Sequence, residues 1–251
     1  MDKYLVFGNP IKQSRSPFIH QSFAKATNQA INYQSQLVEL DGFADAVSQF
    51  VDRGGKGANV TAPFKEQALA LYQWNLELSS AFIIPLQICE VGVRNSIVTA
   101  IENAYGQNWP WAKSFEIALR NPPRSYSPRR DLTNLRKLAT TGKIVAELRF
   151  IFWEKMLTKG HDGAIWNNHL RTAFPHADQL KTIQELRTEG NEELRKIREL
   201  RNRIAHHEPI FRRNIQDEYD RIKKVINWSN PTAALWVDKI EKVTRLITTK
   251  P

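Results

Sequence analysis

The stretch GANVTAPFKEQALALYQWN, Gly57–Asn75, changes texture in mid-course, and that change divides the chain. GANVTAP reads as a short strand closed by proline, whereas ALALYQW already belongs to the helical texture that follows. Upstream, YLVFG reads as a buried strand. Ser16-Pro17 supplies an N-cap and a first-turn proline before the helical FIHQSFAKAT. YQSQLVEL alternates with a period of two, and FADAVSQFVDRGG is a helix stopped by Gly54 and Gly55. The order is βαβαβ, which predicts a parallel three-stranded sheet with right-handed crossovers.

Downstream of about residue 68 the strand signals fade. LELSSAFIIPLQICEVGVRNSIVTAIENAYG, DLTNLRKLATTGKIVAELRFIFWEKML, Asp178 to His207, NIQDEYDRIKKVINW and ALWVDKIEKVTRLITT carry apolar residues at three and four spacing, predicting an all-α bundle. Overall the fold class is mixed: a βαβαβ fragment over 1–67, then helices over 68–251. Between the first two long helices, RNPPRSYSPRRD reads as a solvated loop with a lesser chance of touching phosphate.

Composition bounds the function. A chain of 251 residues with 41% hydrophobic and 25% charged residues can bury a core. Its net charge of +10 favours a polyanionic partner, and with 7 Lys+Arg against 6 Asp+Glu in the first 66 residues nearly all of that excess lies beyond them. The single cysteine, Cys89, excludes an intramolecular disulfide and suits a reducing, cytoplasmic compartment. MDKYLVFGNP is not a signal peptide. AFIIPLQICEVGV is expected to be interrupted by Pro85, Gln87 and Glu90 before it could span a bilayer, so no membrane partner is expected.

GNPIKQSRSPFIH and GGKGANVTAPFKEQA together resemble the substrate-binding half of shikimate dehydrogenase, from Met1 to about Gln67. In that family two serines of an SxS segment and the Thr and Lys of NVTxPFK hold the shikimate hydroxyls and carboxylate, and the lysine also serves in proton transfer. The resemblance places these roles on Ser14, Ser16, Thr61 and Lys65. Hydride transfer needs a dinucleotide held by a glycine-rich turn at a helix amino terminus. No GxGxxG follows residue 67, and the family's later Asn and its Asp in an NTDG segment are missing. The expectation is a truncated fragment without dehydrogenase activity, either retaining shikimate contact or surviving only as a fold remnant. Its sheet edge and apolar face then need cover from the helical part or a second subunit.

ALALYQWNLELSSAFIIPLQICEVGVRN is similar to the opening of Abi-like (abortive infection) proteins, with Tyr72, Trp74 and Asn75 matching YxWN and Glu90, Arg94 and Asn95 matching ExxxRN. VAELRFIFWEKML, NNHLRTAFP and LRNRIAHHEPI continue that likeness to about residue 230. LRNRIAHHEPI also resembles the HEPN signature, carried here by Arg201, Asn202 and His206. The resemblance implies a HEPN-like bundle and a metal-independent, cofactor-free ribonuclease toxin of the phage-defence kind. Such a toxin cuts single-stranded RNA through its 2′-hydroxyl and is normally a homodimer, with an antitoxin as a further candidate partner. His206 would be general acid or base, Arg201 would hold the phosphate, and Asn202 would orient one of them. His207 is a less favoured substitute, and Glu90, Arg94 and Asn95 are possible RNA contacts.

Without that likeness, RNRIAHHEPI reads as a helix end whose cations complement the dipole before Pro209. At about 100° per residue Arg201 and His206 stand about 140° apart, so one straight helix cannot aim both at one phosphate. An isologous dimer would bring two copies to one groove. Glu90 and Arg94, at i,i+4, can equally be a structural ion pair. Trp74, Trp153 and Trp166 are expected in the core, whereas Trp109 and Trp111 could be exposed. His161, His169 and His176 lack ligand partners at metal spacing and are expected to be solvated. Two competing functions remain, a catalytically silent RNA-binding protein and a shikimate-binding remnant.

Overall fold

β1 (Asp2–Gly8), β2 (Ile31–Leu37) and β3 (Gly55–Val60) pair in parallel in the order β2-β1-β3. These assignments come from a computed structural model that describes all residues, 1–251. Alternation along β1 sends Leu5 and Phe7 to one face, against Phe43 and Ala46 of α2 (Phe43–Asp52) and Phe64. The Phe7 ring meets those of Phe43 and Phe50 edge-on at 5.8 and 6.0 Å. Val6 faces the other way, with Ile11 and Tyr33, on the side of α1 (Ser16–Ala26). Gly55 is required by this packing, because a Cβ there would lie 2.4 Å from the Phe50 ring.

One local expectation fails at α1. Arg15, not Ser16, is the N-cap, and no side chain caps the helix. Ser14 Oγ instead accepts from Ser16 N–H at 3.4 Å, a turn-type contact that serves the helix start less directly.

α3 runs without interruption from Lys65 to Tyr105, 41 residues, with Pro85 inside it. Proline removes one backbone donor but does not end this helix, which by length and composition is long and apolar enough to cross a bilayer. The expected interruption at Pro85 is therefore corrected. Along α3 the buried side chains Leu78, Phe82, Leu86, Cys89, Val93 and Ile97 recur at three and four spacing.

The chain forms two compact units, Met1–Leu78 with Arg245–Pro251, and Ser79–Thr244. The second is helical, but its helices are shorter and more numerous than the expected bundle. After α4 (Lys113–Ala118), the segment read as one helix from Asp131 to Leu157 divides into α5 (Pro128–Leu135), α6 (Thr141–Glu147) and α7 (Phe150–Met156). Thr140 causes one of these breaks by turning extended and accepting from Lys143 N–H at 3.3 Å. α8 (Asn167–Ala173) precedes α9 (Ile183–Ala205), which opens on a capping box between Thr182 and Glu185. α10 (Ile215–Ser229) and α11 (Pro231–Ile240) follow, and Glu241 then turns extended and accepts from Thr244 N–H, starting α12 (Val243–Ile247).

Burial corrects two further readings. Trp109 is fully buried, edge-on to Phe115 at 5.1 Å, while Trp111 is partly exposed. His161 is buried rather than solvated, and desolvation, then Arg120, lower its pKa to about 4 against a smaller opposing effect of Asp162. In the proline-rich loop, Arg129 donates to the carbonyls of Leu119 and Ile117, and Arg130 to those of Pro122 and Ser125. Those two guanidiniums hold the loop together.

Candidate functional site

At the carboxyl ends of β1 and β3, two loops are laced to each other. Thr61 N–H donates to Phe7 O at 2.9 Å, Asn9 N–H donates to Ala62 O at 3.2 Å, and Asn9 Nδ2 reaches Val38 O at 2.9 Å beyond β2. Gly8 makes the approach possible, because a Cβ there would lie 2.6 Å from Thr61 Cγ2 and 2.7 Å from Ile11 Cδ1. The peptides before Pro10 and Pro63 are both cis.

These loops carry the residues singled out in the sequence. Ser14 precedes α1 and Ser16 is its first residue, Thr61 follows β3, and Lys65 is the first residue of α3. Ser14, Ser16 and Thr61 are half-buried and Lys65 is exposed. All four therefore lie at the carboxyl end of the parallel sheet, where open α/β folds bind ligands, and two helix amino termini add positive potential there.

Alternation on β3 adds a residue the sequence reading missed. Asn59 is two before Thr61 and so shares its face. Its Nδ2 lies 3.3 Å from His20 Nε2, and the His20 ring stacks on Tyr33 at 4.3 Å. Burial raises the Tyr33 phenol pKa, with Asn59 acting in the opposite sense. These three residues line a hollow of about 550 Å³ beside α1. Counting back two positions from Thr61 would have found Asn59; the His20 contact, 39 positions away, had no local signal.

In the second unit, Glu90, Arg94, Arg201 and His207 line a groove of about 1010 Å³. Glu90 pairs with Arg94 at 3.5 Å, as the i,i+4 spacing suggested, and with Arg201 at 3.9 Å. Asn95, Asn202 and His206 do not line it. α9 ends at Ala205; His206 leaves the helix as its C-cap, and His207 takes φ 57 while Glu208 N–H donates to Arg203 O at 2.8 Å. Arg201, Asn202 and His206 are thus not gathered into one site within the chain. No group of three or more His, Cys, Asp and Glu side chains is placed to hold a metal ion.

Comparison with known proteins bears on the first unit. Residues 6–77 match the family model described as the shikimate dehydrogenase substrate binding domain. A shikimate dehydrogenase (NADP(+)) from Colwellia psychrerythraea is 63% identical over 70 residues, 28% of this chain and 26% of that protein. One from Photobacterium profundum is 54% identical over 79 residues, 32% and 28% of the two chains. A solved structure, of an Ael1 enzyme from Pseudomonas putida, is 48% identical over 27% of this chain and 25% of its own, with a TM-score of 0.27. The chain thus spans about a quarter of the length of the curated relatives it matches.

These findings overturn the ribonuclease expectation. The matches are to shikimate dehydrogenases, and nothing in them supports an Abi-like or HEPN domain or a phage-defence ribonuclease toxin. All three strands end by Val60, and the chain beyond them is helical.

Proposed function

We propose that the first unit is a binding module for a small hydroxylated cyclic carboxylate of the shikimate class. One observation supports the reading: Ser14, Ser16, Thr61 and Lys65 lie on the segments that follow β1 and β3, within the stretch that matches the substrate-binding domain of shikimate dehydrogenases. The Ser14 and Ser16 hydroxyls and the amino terminus of α1 suit a carboxylate. The Thr61 hydroxyl and the Lys65 ammonium suit ring hydroxyls. Because relatives are matched over only about a quarter of their length, the proposal is binding and not hydride transfer.

Calorimetric titration of the full chain with shikimate tests it. Saturable binding is expected, weakened about tenfold or more in Lys65→Ala, the usual loss for a hydrogen bond to a charged group. Absence of saturation in the parent protein, or equal binding by Lys65→Ala and Ser16→Ala, would sink the reading.

A further inference from the structure

The groove in the second unit has an apolar floor that nothing else in that unit covers. Ile83, Val91 and Ala233 line it, and Ile83 and Val91 are 47% and 49% exposed. Asn230 and Ala233 carry the lining onto α11, and Trp236, one turn beyond Ala233 and 53% exposed, continues that face. A protruding tryptophan thus stands beside an open apolar groove. We propose that two copies of this chain associate here across a two-fold axis, each placing Trp236 in the other's groove beside Val91.

Three features favour a second copy. First, an isologous contact needs a patch that complements itself, and a knob next to a hole meets that need. Gln87, exposed on the groove wall, carries an amide that is both donor and acceptor and can pair with its own symmetry mate. Second, helices can come close, since a Cβ on Gly92 would meet nothing within 4 Å and Ala205 and Ala233 are small. Third, the area suffices. Ile83, Ile84, Val91 and Trp236 are each about half exposed and together offer roughly 400 Å² of apolar surface, and the polar rim brings a copy towards the about 800 Å² per partner of a standard interface.

Electrostatics gives the association a sign. Glu90 is already engaged by Arg94 and Arg201, which leaves the rim positive on a chain of net charge +10. Two such copies repel at the rim while their apolar centres attract, so salt strengthens the pairing. An acidic protein or a nucleic acid on the same rim would be weakened by salt.

Sedimentation equilibrium of the full chain decides the matter, at low salt and at about 1 M salt, where the screening length falls to about 3 Å. The expected result is a concentration-dependent rise from 29.0 kDa to about twice that mass, stronger in salt. Val91→Glu and Trp236→Ser should each weaken it about tenfold or more with unchanged helicity, since both side chains are half exposed. A monomer at about 100 μM, a dimer indifferent to both substitutions, or one dissociated by salt overturns the proposal. A monomer that binds anionic vesicles through Val91 overturns it in favour of a lipid surface.

Discussion

The indole Nε1 of Trp74 donates to the carbonyl oxygen of Leu246 at 2.7 Å, joining positions 172 residues apart inside one compact unit. The contact is buried, and the Lys250 ammonium lies 6.0 Å from the same indole ring. The last seven residues, Arg245–Pro251, are therefore part of the unit that carries Ser14, Ser16, Thr61 and Lys65.

Trp74→Phe should retain most of the buried ring and lose only the donor, leaving the Leu246 carbonyl to the N–H and hydroxyl of Thr249, which donate to it at 3.2 and 3.1 Å. The expected cost is that of one net hydrogen bond, about 0.5–1.5 kcal/mol, read by urea denaturation of the full chain. A change within a few tenths of a kcal/mol would show that the contact is incidental. Removing residues 245–251 should cost more, since it also uncovers the Trp74 ring.

Gly8→Ala should harm the ligand site before it harms the fold as a whole. The new methyl would meet Thr61 Cγ2 at 2.6 Å and Ile11 Cδ1 at 2.7 Å, so the loop carrying Thr61 must move. We expect about 1–3 kcal/mol of destabilisation from overpacking, with shikimate binding weakened at least as much as by loss of the Thr61 hydroxyl. Unchanged affinity in Gly8→Ala would mean that the spacing of the two loops does not matter to binding.

His161 should make the second unit acid-sensitive. Its pKa is lowered from 6.5 to about 4, so between those values the unfolded chain takes a proton that the folded chain refuses. Stability is whole above about pH 6.5 and falls as pH drops towards 4, by at most about 3 kcal/mol. His161→Gln should flatten that part of the profile in denaturation measured at stepped pH. An equally steep profile in the variant would assign the acid sensitivity to the carboxylates.

Glu154 and Arg198 should couple strongly. The Glu154 carboxylate is buried and receives Arg198 Nε at 2.5 Å and Lys155 Nζ at 2.7 Å. Arg198→Leu strips a buried charge of its main partner and should cost about 3 kcal/mol. Glu154→Leu combined with Arg198→Leu should recover much of that loss. A double variant as unstable as the sum of the two singles would argue that the pair contributes through packing alone.

The strands were legible in sequence for local reasons, and the candidate residues through a short motif that resembles a known family. Alternation in YQSQLVEL, the glycine pair at 54–55 and the Thr61–Lys65 motif each depend on residues close together in the chain. The helix ends were less legible. Thr140 and Glu241 each end one run of apolar spacing and start another, and a periodicity window cannot see a cap that lies within it. The ribonuclease reading is overturned by the matches to shikimate dehydrogenases; an arginine five residues before a histidine recurs readily in basic helical chains.

By itself the sequence determined the βαβαβ order and the helical character of the rest, because periodicity and turn chemistry act over a few residues; the four candidate residues Ser14, Ser16, Thr61 and Lys65 came from a resemblance and not from that pattern. Only the tertiary structure decided that Leu246 returns to Trp74, that His20 reaches Asn59, that His161 is buried, and that Trp236 stands beside an open groove. Those facts depend on which distant surfaces meet and exclude water, and no local pattern carries that information.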